Sequence, residues 1–412
     1  MISPHHPSRG ILGAVNRYLE GHTVILGITA SVSSYKSIDT ARWLMRRGAQ
    51  VVPVMTPEAT KYVGPMLLHW ATGVEPIVEL TGETEHVGLV ESASSVIVAP
   101  ATLSTIAKVA YGVGDTSVSM VAISALGYRK RVAFVPAMHD NLYNTEQYRR
   151  AKAVLEEMGA KIVPPLLEEG AAKYPAPELV GRVAAAFTAR GEDLKGMRVL
   201  VTGGPTREWI DRVRFISNPS SGMMGVELAA EAWARGATVD FVHGPLKASA
   251  PHFVNAFRVE TAAEMAERVA ELSQKNSYDI AVFAAAPADF APAEPYEGKL
   301  RSGREIQLLL KPTVKVLGSL RSRPRAVIAF AAESTMEEEK LVEAAREKLS
   351  KYSADLVVAN PVGYAGTGFA SETDRAILVS PSEVRSLGLI HKELLARTIF
   401  DEALKIARGA LK

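Results

Sequence analysis

Arg198-Val-Leu-Val-Thr-Gly-Gly-Pro-Thr-Arg207, with Ser217-Asn-Pro-Ser-Ser-Gly-Met-Met-Gly225 soon after it, reads as a buried strand, a tight turn and the start of a helix. An apolar run ending in glycines suits a strand covered on both faces. The small polar residues ahead of the Ala-rich helix offer hydroxyls, a side-chain amide and free backbone N–H groups. A phosphate binds in such a setting, at a helix N-terminus. Working outward, the same alternation continues to the end of the chain. Strands are predicted at 198–201, 238–242, 280–283, 327–330 and 355–359. Helices are predicted at 224–235, 261–274, 335–350 and 391–408, with Thr261/Glu264 and Thr335/Glu338 as capping boxes.

Toward the N-terminus the pattern also holds. Strands are predicted at 24–28, 51–55, 96–98, 132–135 and 161–163, and helices at 35–47, 144–159 and 181–190. Thr56-Pro57-Glu58 reads as an N-cap, a proline at the first helical position and an acid in the first turn. The stretch 164–177 reads as a loop, and Gly191-Glu-Asp-Leu-Lys-Gly196 as a domain boundary. Repeated strand–helix units predict an α/β protein with two doubly wound parallel sheets, divided as 1–190 and 191–412. In such sheets ligands bind beyond the carboxyl ends of the strands.

Bulk composition excludes several classes. At 412 residues, 47% hydrophobic and 22% charged, the chain has an ordinary globular make-up for two domains. A net charge of +2 without a long basic block gives no nucleic-acid footprint. Cysteine is absent, which removes disulfides, thiolate metal sites and a cysteine nucleophile. No apolar run reaches membrane-spanning length and the first residues lack a signal-peptide core, so a soluble cytoplasmic enzyme is expected.

Gly27-Ile-Thr-Ala-Ser-Val-Ser-Ser-Tyr-Lys36 joins the first strand to the first helix, with Thr29, Ser31, Ser33 and Ser34 suited to a phosphate. No G-x-G-x-x-G is present, which argues against NAD. His86 precedes a strand ending Ala99-Pro-Ala-Thr102, and Pro136-Ala-Met-His-Asp-Asn-Leu-Tyr143 adds His139 and Asn141. Two imidazoles on loops at one sheet edge suit acid–base work near neutral pH.

These motifs resemble the flavin-dependent phosphopantothenoylcysteine decarboxylase family over about residues 20–180. The resemblance implies FMN held by Thr29, Ser31, Ser33, Thr56, Ala99, Thr102 and Thr116, with His86 setting up substrate oxidation. It implies oxidation of the cysteine moiety to a thioaldehyde, loss of carbon dioxide and re-reduction of the enethiolate. His139 stands where the family usually has the Asn that binds the substrate carboxylate. The family's flap cysteine is also missing, which leaves Lys173 as the proton donor expected on that flap.

In the second half, Ala285-Ala-Pro-Ala-Asp-Phe290 ends a strand and offers Asp289 to a ribose or a metal ion. Lys299 lies in a Gly/Lys loop, and Phe330 in Ala329-Phe-Ala-Ala-Glu333 is placed to stack on a base. The segments 202–208, 214–225, 285–290 and 329–334, with Asn360, Gly368 and Phe369, resemble phosphopantothenate–cysteine ligase. The resemblance covers about 193–400 and implies activation of a carboxylate by CTP with Mg²⁺ or Mn²⁺, then coupling to cysteine. By the same carry-over Asn218 stabilises the acyl-nucleotide intermediate and Asp289 is the metal ligand. Ser220, Ser221, Ala285, Asp289, Lys299, Phe330 and Lys348 take the nucleotide, with Lys299 also catalytic. The family's nucleotide segment is replaced here by Lys311-Pro-Thr-Val-Lys315. Together the two resemblances imply a flavodoxin-like flavoprotein domain followed by a Rossmann-like ligase domain. The substrates would be 4′-phosphopantothenate, cysteine, CTP and phosphopantothenoylcysteine, in a homo-oligomer without nucleic-acid or membrane partners. An alternative is a ligase alone, its first half a flavin-binding regulatory module.

Overall fold

The computed structural model describes residues 6–303, 305–364, 366–369 and 371–409. Contacts divide the chain into two compact units, Met1–Gly191 and Glu192–Lys412.

The first unit is built on five parallel strands. Their order across the sheet is Gln50–Met55, Thr23–Ile28, Ser95–Ala101, Arg131–Pro136 and Lys161–Ile162. In chain order this is 2-1-3-4-5, the flavodoxin-like winding. Ser95–Ala101 is buried at every position, as a strand covered on both faces must be. On one face Val96, Val98 and Phe134 pack with Val118, Val121 and Leu155.

The second unit carries eight strands. The order is Asn255–Arg258, Thr238–His243, Arg198–Gly203, Ile280–Phe283, Ala326–Glu333, Leu356–Pro361, Thr373–Val379 and Val384–His391. The first six are parallel and wound 3-2-1-4-5-6, the Rossmann order. The last two are antiparallel, an extension of the predicted parallel sheet. Alternate residues separate two cores. Val199, Val201 and Val282 face Leu228 and Phe400, whereas Leu200, Ala281 and Val327 face Val269 and Leu341.

Helix Met223–Ala234 can lie this close to the first strand because two glycines meet. A Cβ on Gly225 would stand 2.8 Å from the Gly203 Cα. At the other end of this helix stands Arg235, fully buried at 0% exposure. Its guanidinium donates twice to Asp193 at 2.7 Å and pairs with Asp401 at 2.9 Å.

Three local expectations are corrected. The predicted loop 164–177 contains a hairpin, Leu166–Glu168 with Ala171–Lys173, whose second strand pairs with Met138–His139. Glu169 and Gly170 both have positive φ (50° and 70°), the conformation a two-residue hairpin turn needs. Thr335 does not cap a helix. That helix is Glu338–Tyr352 with Glu337 as N-cap, and Thr335 Oγ1 instead accepts from Glu337 N–H at 3.1 Å. The helix predicted to start at 181 begins at Pro177, with proline in the first turn.

Candidate functional site

The second unit presents a cleft of about 540 Å³ at the carboxyl ends of its strands. It lies at the switch point, where the strand order reverses between Arg198–Gly203 and Ile280–Phe283. Hydrogen bonds weld the two strand ends there. Ala286 N–H donates to Gly204 O at 2.9 Å, and Ala288 N–H to Thr206 Oγ1 at 3.0 Å. The volume is that of an ordinary small-molecule site.

The cleft gathers most of the predicted ligase residues. Asn218, Ser220, Ser221, Ala285, Asp289, Phe330, Lys348, Asn360, Gly368 and Phe369 all line it. Ser220 Oγ accepts from Gly222 N–H and Ser221 Oγ from Met223 N–H, at 3.3 and 3.4 Å. Each hydroxyl keeps its proton for an incoming acceptor. Gly222 caps helix Met223–Ala234 without a side chain, so the first-turn N–H groups add donors beside them. Lys348 donates to Phe330 O at 2.6 Å, and burial pushes its ammonium below the ordinary lysine range.

Two expectations change here. Asn218 Nδ2 donates to the carbonyls of Ala286 and Pro287, at 3.2 and 3.0 Å. Both amide protons are thus used, and the remaining polar atom, Oδ1, is an acceptor. In this arrangement Asn218 offers nothing to an oxyanion; it suits the N–H of an attacking amine. Lys299 does not line the cleft. It is exposed on a loop tied down elsewhere: Leu300 N–H donates to Asp211 Oδ2 at 3.0 Å, and Arg212 N–H to Gly298 O at 3.0 Å. Burial opposes ionisation of Asp211, but backbone donors from Leu300, Val213 and Arg214 outweigh it and hold its carboxyl down at about 2.

Sequence reasoning missed six charged groups that line the cleft: Lys315, Glu333, Glu347, Lys351, Asp374 and Lys392. Lys315 Nζ pairs with Asp289 Oδ1 at 2.5 Å. The signal was a lysine placed just after the Pro-Thr of the altered nucleotide segment. Asp374 and Lys392 are 4% and 5% exposed. Their signal was weaker, an aspartate inside a strand pattern and a lysine opening a helix. Among the described residues no group of three His, Asp or Glu side chains is arranged as a metal cage. Asp289 shares the cleft with Glu333, Glu347 and Asp374 but is part of no such cage, which suits an Mg²⁺ that arrives on phosphates.

In the first unit the predicted flavin residues gather at the carboxyl edge of the sheet. Thr56 N–H donates to Ile28 O at 3.0 Å, and Ser117 Oγ to Met55 O at 2.7 Å. Helices Leu103–Ala110 and Ser117–Gly127 begin there, with Thr102 and Thr116 as N-caps. Thr29 is corrected from ligand to clip. It is fully buried, its hydroxyl donates to Pro100 O at 2.9 Å and accepts from Thr102 N–H at 3.0 Å. No proton remains for a phosphate. Ser31 Oγ accepts from Ser33 N–H at 3.2 Å, while the half-buried Ser33 hydroxyl has no partner among the described residues. Ala99, fully buried, serves through its carbonyl, which accepts from Ser37 Oγ at 2.7 Å. A phosphate-bearing flavin fits this edge: the Ser31 and Ser33 hydroxyls keep their protons, and two helices begin there.

The two histidines are not side by side. His86 lies in the first turn of helix Glu85–Ser92, where its carbonyl accepts from Ser124 Oγ at 2.8 Å. Ser124 is eight residues into the helix from Thr116, or about 12 Å along it, so His86 stands off the strand edge. Its Nδ1 is buried without a partner. His139 is exposed and pairs through its backbone with Ala171 of the hairpin. Lys173, at the hairpin's far end, forms an ion pair with Glu169 that pushes its ammonium above the ordinary range. A lysine so held is a poorer proton donor, contrary to the expectation from the missing cysteine.

Among the described residues no helix is long and apolar enough to cross a membrane. A family model described as Flavoprotein matches residues 12–188. A model described as DNA/pantothenate metabolism flavoprotein C-terminal domain matches residues 194–406. The chain is 36% identical over 409 residues to the coenzyme A biosynthesis bifunctional protein CoaBC of Thermococcus kodakarensis, spanning 97% of this chain and 99% of that one. Its identity to the same-named protein of Methanocaldococcus jannaschii is 33% over 398 residues, 96% of each chain. A crystal structure of the C-terminal domain of such a protein aligns with a TM-score of 0.44 at 32% identity, covering 53% of this chain and 99% of that chain.

Proposed function

This chain belongs to the family of coenzyme A biosynthesis bifunctional proteins, and on that premise we propose that it performs two consecutive steps. The second unit joins cysteine to 4′-phosphopantothenate at the expense of CTP. The first unit decarboxylates the product to 4′-phosphopantetheine with FMN. The observation that carries the proposal is the switch-point cleft, where Asn218, Ser220, Ser221, Asp289, Phe330 and Lys348 meet.

In the ligase step, Ser220, Ser221 and the N-terminus of helix Met223–Ala234 receive phosphate oxygens. Phe330 stacks on the base, and Lys348 with Lys315 supplies standing positive charge. Asp289 would hold an Mg²⁺ brought in on the phosphates, whose charge would offset theirs. Lys299 approaches from its loop as pyrophosphate departs, where added charge lowers the barrier. Asn218, fixed by two carbonyls, then accepts from the cysteine amine as it attacks the acyl carbon.

In the decarboxylase step, Ser31, Ser33, Thr56, Thr102 and Thr116 would hold FMN, and Thr29 keeps two strand ends in place. When bound, FMN supplies two-electron exchange with the cysteine moiety. His86 handles the proton of the oxidative step through its unpartnered Nδ1. His139 binds the substrate carboxylate from the strand that the hairpin covers.

The test is direct. Purified protein should be yellow, release pyrophosphate from CTP with 4′-phosphopantothenate alone, and release carbon dioxide from phosphopantothenoylcysteine. ATP in place of CTP checks the base preference. A second reading is favoured by the Glu169–Lys173 pair in a chain without cysteine: a yellow protein that ligates but releases no carbon dioxide is a ligase with a flavin-binding regulatory module.

A further inference from the structure

One side of the ligase cleft is closed by Gly368 and Phe369. Charged groups hold Gly368 through both of the peptides that meet at its Cα. Asp374 Oδ1 accepts from Gly368 N–H at 3.1 Å. Lys392 Nζ donates to Gly368 O at 2.9 Å. Both side chains are almost fully withdrawn from water, yet both reach the cleft wall. Other donors complete the aspartate. Thr367 Oγ1 donates to it at 2.9 Å, and Asn360 Nδ2 to its two oxygens at 3.4 and 3.3 Å. These groups come from separate elements: strand Leu356–Pro361 brings Asn360, strand Thr373–Val379 brings Asp374, and helix Lys392–Gly409 brings Lys392.

Burying two opposite charges is costly, and well-packed apolar residues usually stabilise a fold as well. Stability alone therefore gives little reason for the pair. A pair that grips one residue by both its N–H and its C=O does something apolar residues cannot: it fixes the two peptide planes that meet at the Gly368 Cα, and with the second the direction of the next side chain.

We propose that Asp374 and Lys392 are positioning residues of the ligase, a two-sided clamp on the peptides before and after Gly368 that holds Phe369 as a wall of the cleft for the acyl-nucleotide. The clamp acts through Phe369, and neither charge touches a reacting atom. This rests on the ligase reading above. Charged residues that look like ligands are thus assigned to the shape of the site. Loss of the clamp should let the wall drift and weaken binding of nucleotide and carboxylate substrate, with chemistry unchanged once they are bound.

The experiment is a double-mutant cycle in the full-length protein. Pyrophosphate release from CTP and 4′-phosphopantothenate is followed without cysteine, for Lys392→Met, Phe369→Ala and the pair. Each single variant should lower kcat/KM about tenfold, mainly through KM, for an interaction used equally in ground and transition states. The double variant should be no worse than either by more than about twofold, because both remove the same wall. Multiplied losses of about 100-fold would overturn the proposal, since the clamp would then not act through Phe369. So would a rise confined to the KM for cysteine, which would place the pair on the amino acid itself. Should Lys392→Met fail to fold, as a lone buried Asp374 makes possible, the isosteric Asp374→Asn replaces it in the cycle with the same criteria. Carbon dioxide release by the first unit reports on protein integrity. If the wild type makes no pyrophosphate with any nucleotide, the ligase reading falls; if it does and the cycle multiplies, only the clamp falls.

Discussion

Asn218 shows how much one amide decides. Its two protons are spent on the carbonyls of Ala286 and Pro287. Asn218→Asp places a carboxylate against those oxygens, so the side chain leaves its place. Pyrophosphate should still be released without cysteine, while coupled product falls about 100- to 1,000-fold, the usual loss for a polar group aimed at a transition state. Measuring both products in one assay checks this, and equal loss of both would refute the division of labour. The cleft's two lysines of unlike position should separate differently. Lys315 already stands beside Asp289, so Lys315→Gln should mainly raise the KM for nucleotide, by about tenfold for a lost charge-assisted contact. Lys299 approaches only as charge develops, so Lys299→Gln should mainly lower kcat of pyrophosphate release. A Lys299→Gln enzyme of normal kcat would leave that residue on its loop. In the first unit, His86→Asn should abolish carbon dioxide release and leave flavin absorbance and pyrophosphate release as in the wild type. Turnover within a few-fold of wild type would remove His86 from the chemistry.

Elements built from long buried apolar runs were legible in the sequence, and those defined by partners were not. Val96-Ile-Val98 and Ile280-Ala-Val-Phe283 can only be strands covered on both sides, and Thr261 does cap its helix by accepting from Glu264 N–H at 3.2 Å. The hairpin at Leu166–Lys173 was hidden. Its strands are three residues long, and their partner, Met138–His139, lies far off in sequence. The edge strand Val384–His391 interleaves Arg385, Ser386 and Gly388 with apolar residues, two of them exposed, and so gives no continuous apolar signal. The cleft residues were legible as motifs; their partners were not, because a lysine facing a carboxylate looks on paper like a solvated lysine. The Gly203–Gly225 contact belongs to this scale. Gly225→Ala puts a methyl 2.8 Å from backbone, and such overpacking costs about 1–3 kcal/mol. It should lower the melting transition of the second unit and the ligase rate, with carbon dioxide release unchanged. An unaltered ligase rate and melt would mean the helix can retreat without consequence.

Across the whole molecule, each unit has its own sheet and its own apolar core. Fragments 1–191 and 192–412, made separately, should therefore each fold. The first should be yellow and the second should release pyrophosphate. A fragment that is insoluble alone but active when the two are mixed would show that its core is incomplete. Arg235 carries one last implication. Its guanidinium holds Asp193, just inside the second unit, and Asp401, midway along the final helix, while Arg408 near the end of that helix donates to the Asp193 carbonyl at 3.4 Å. The unit's doorway in and doorway out thus open at one corner, latched by two arginines. A module of that kind behaves as a cassette: chain attached ahead of it or behind it arrives at the same spot, and the catalytic cleft at the strand ends keeps its shape whatever is spliced on.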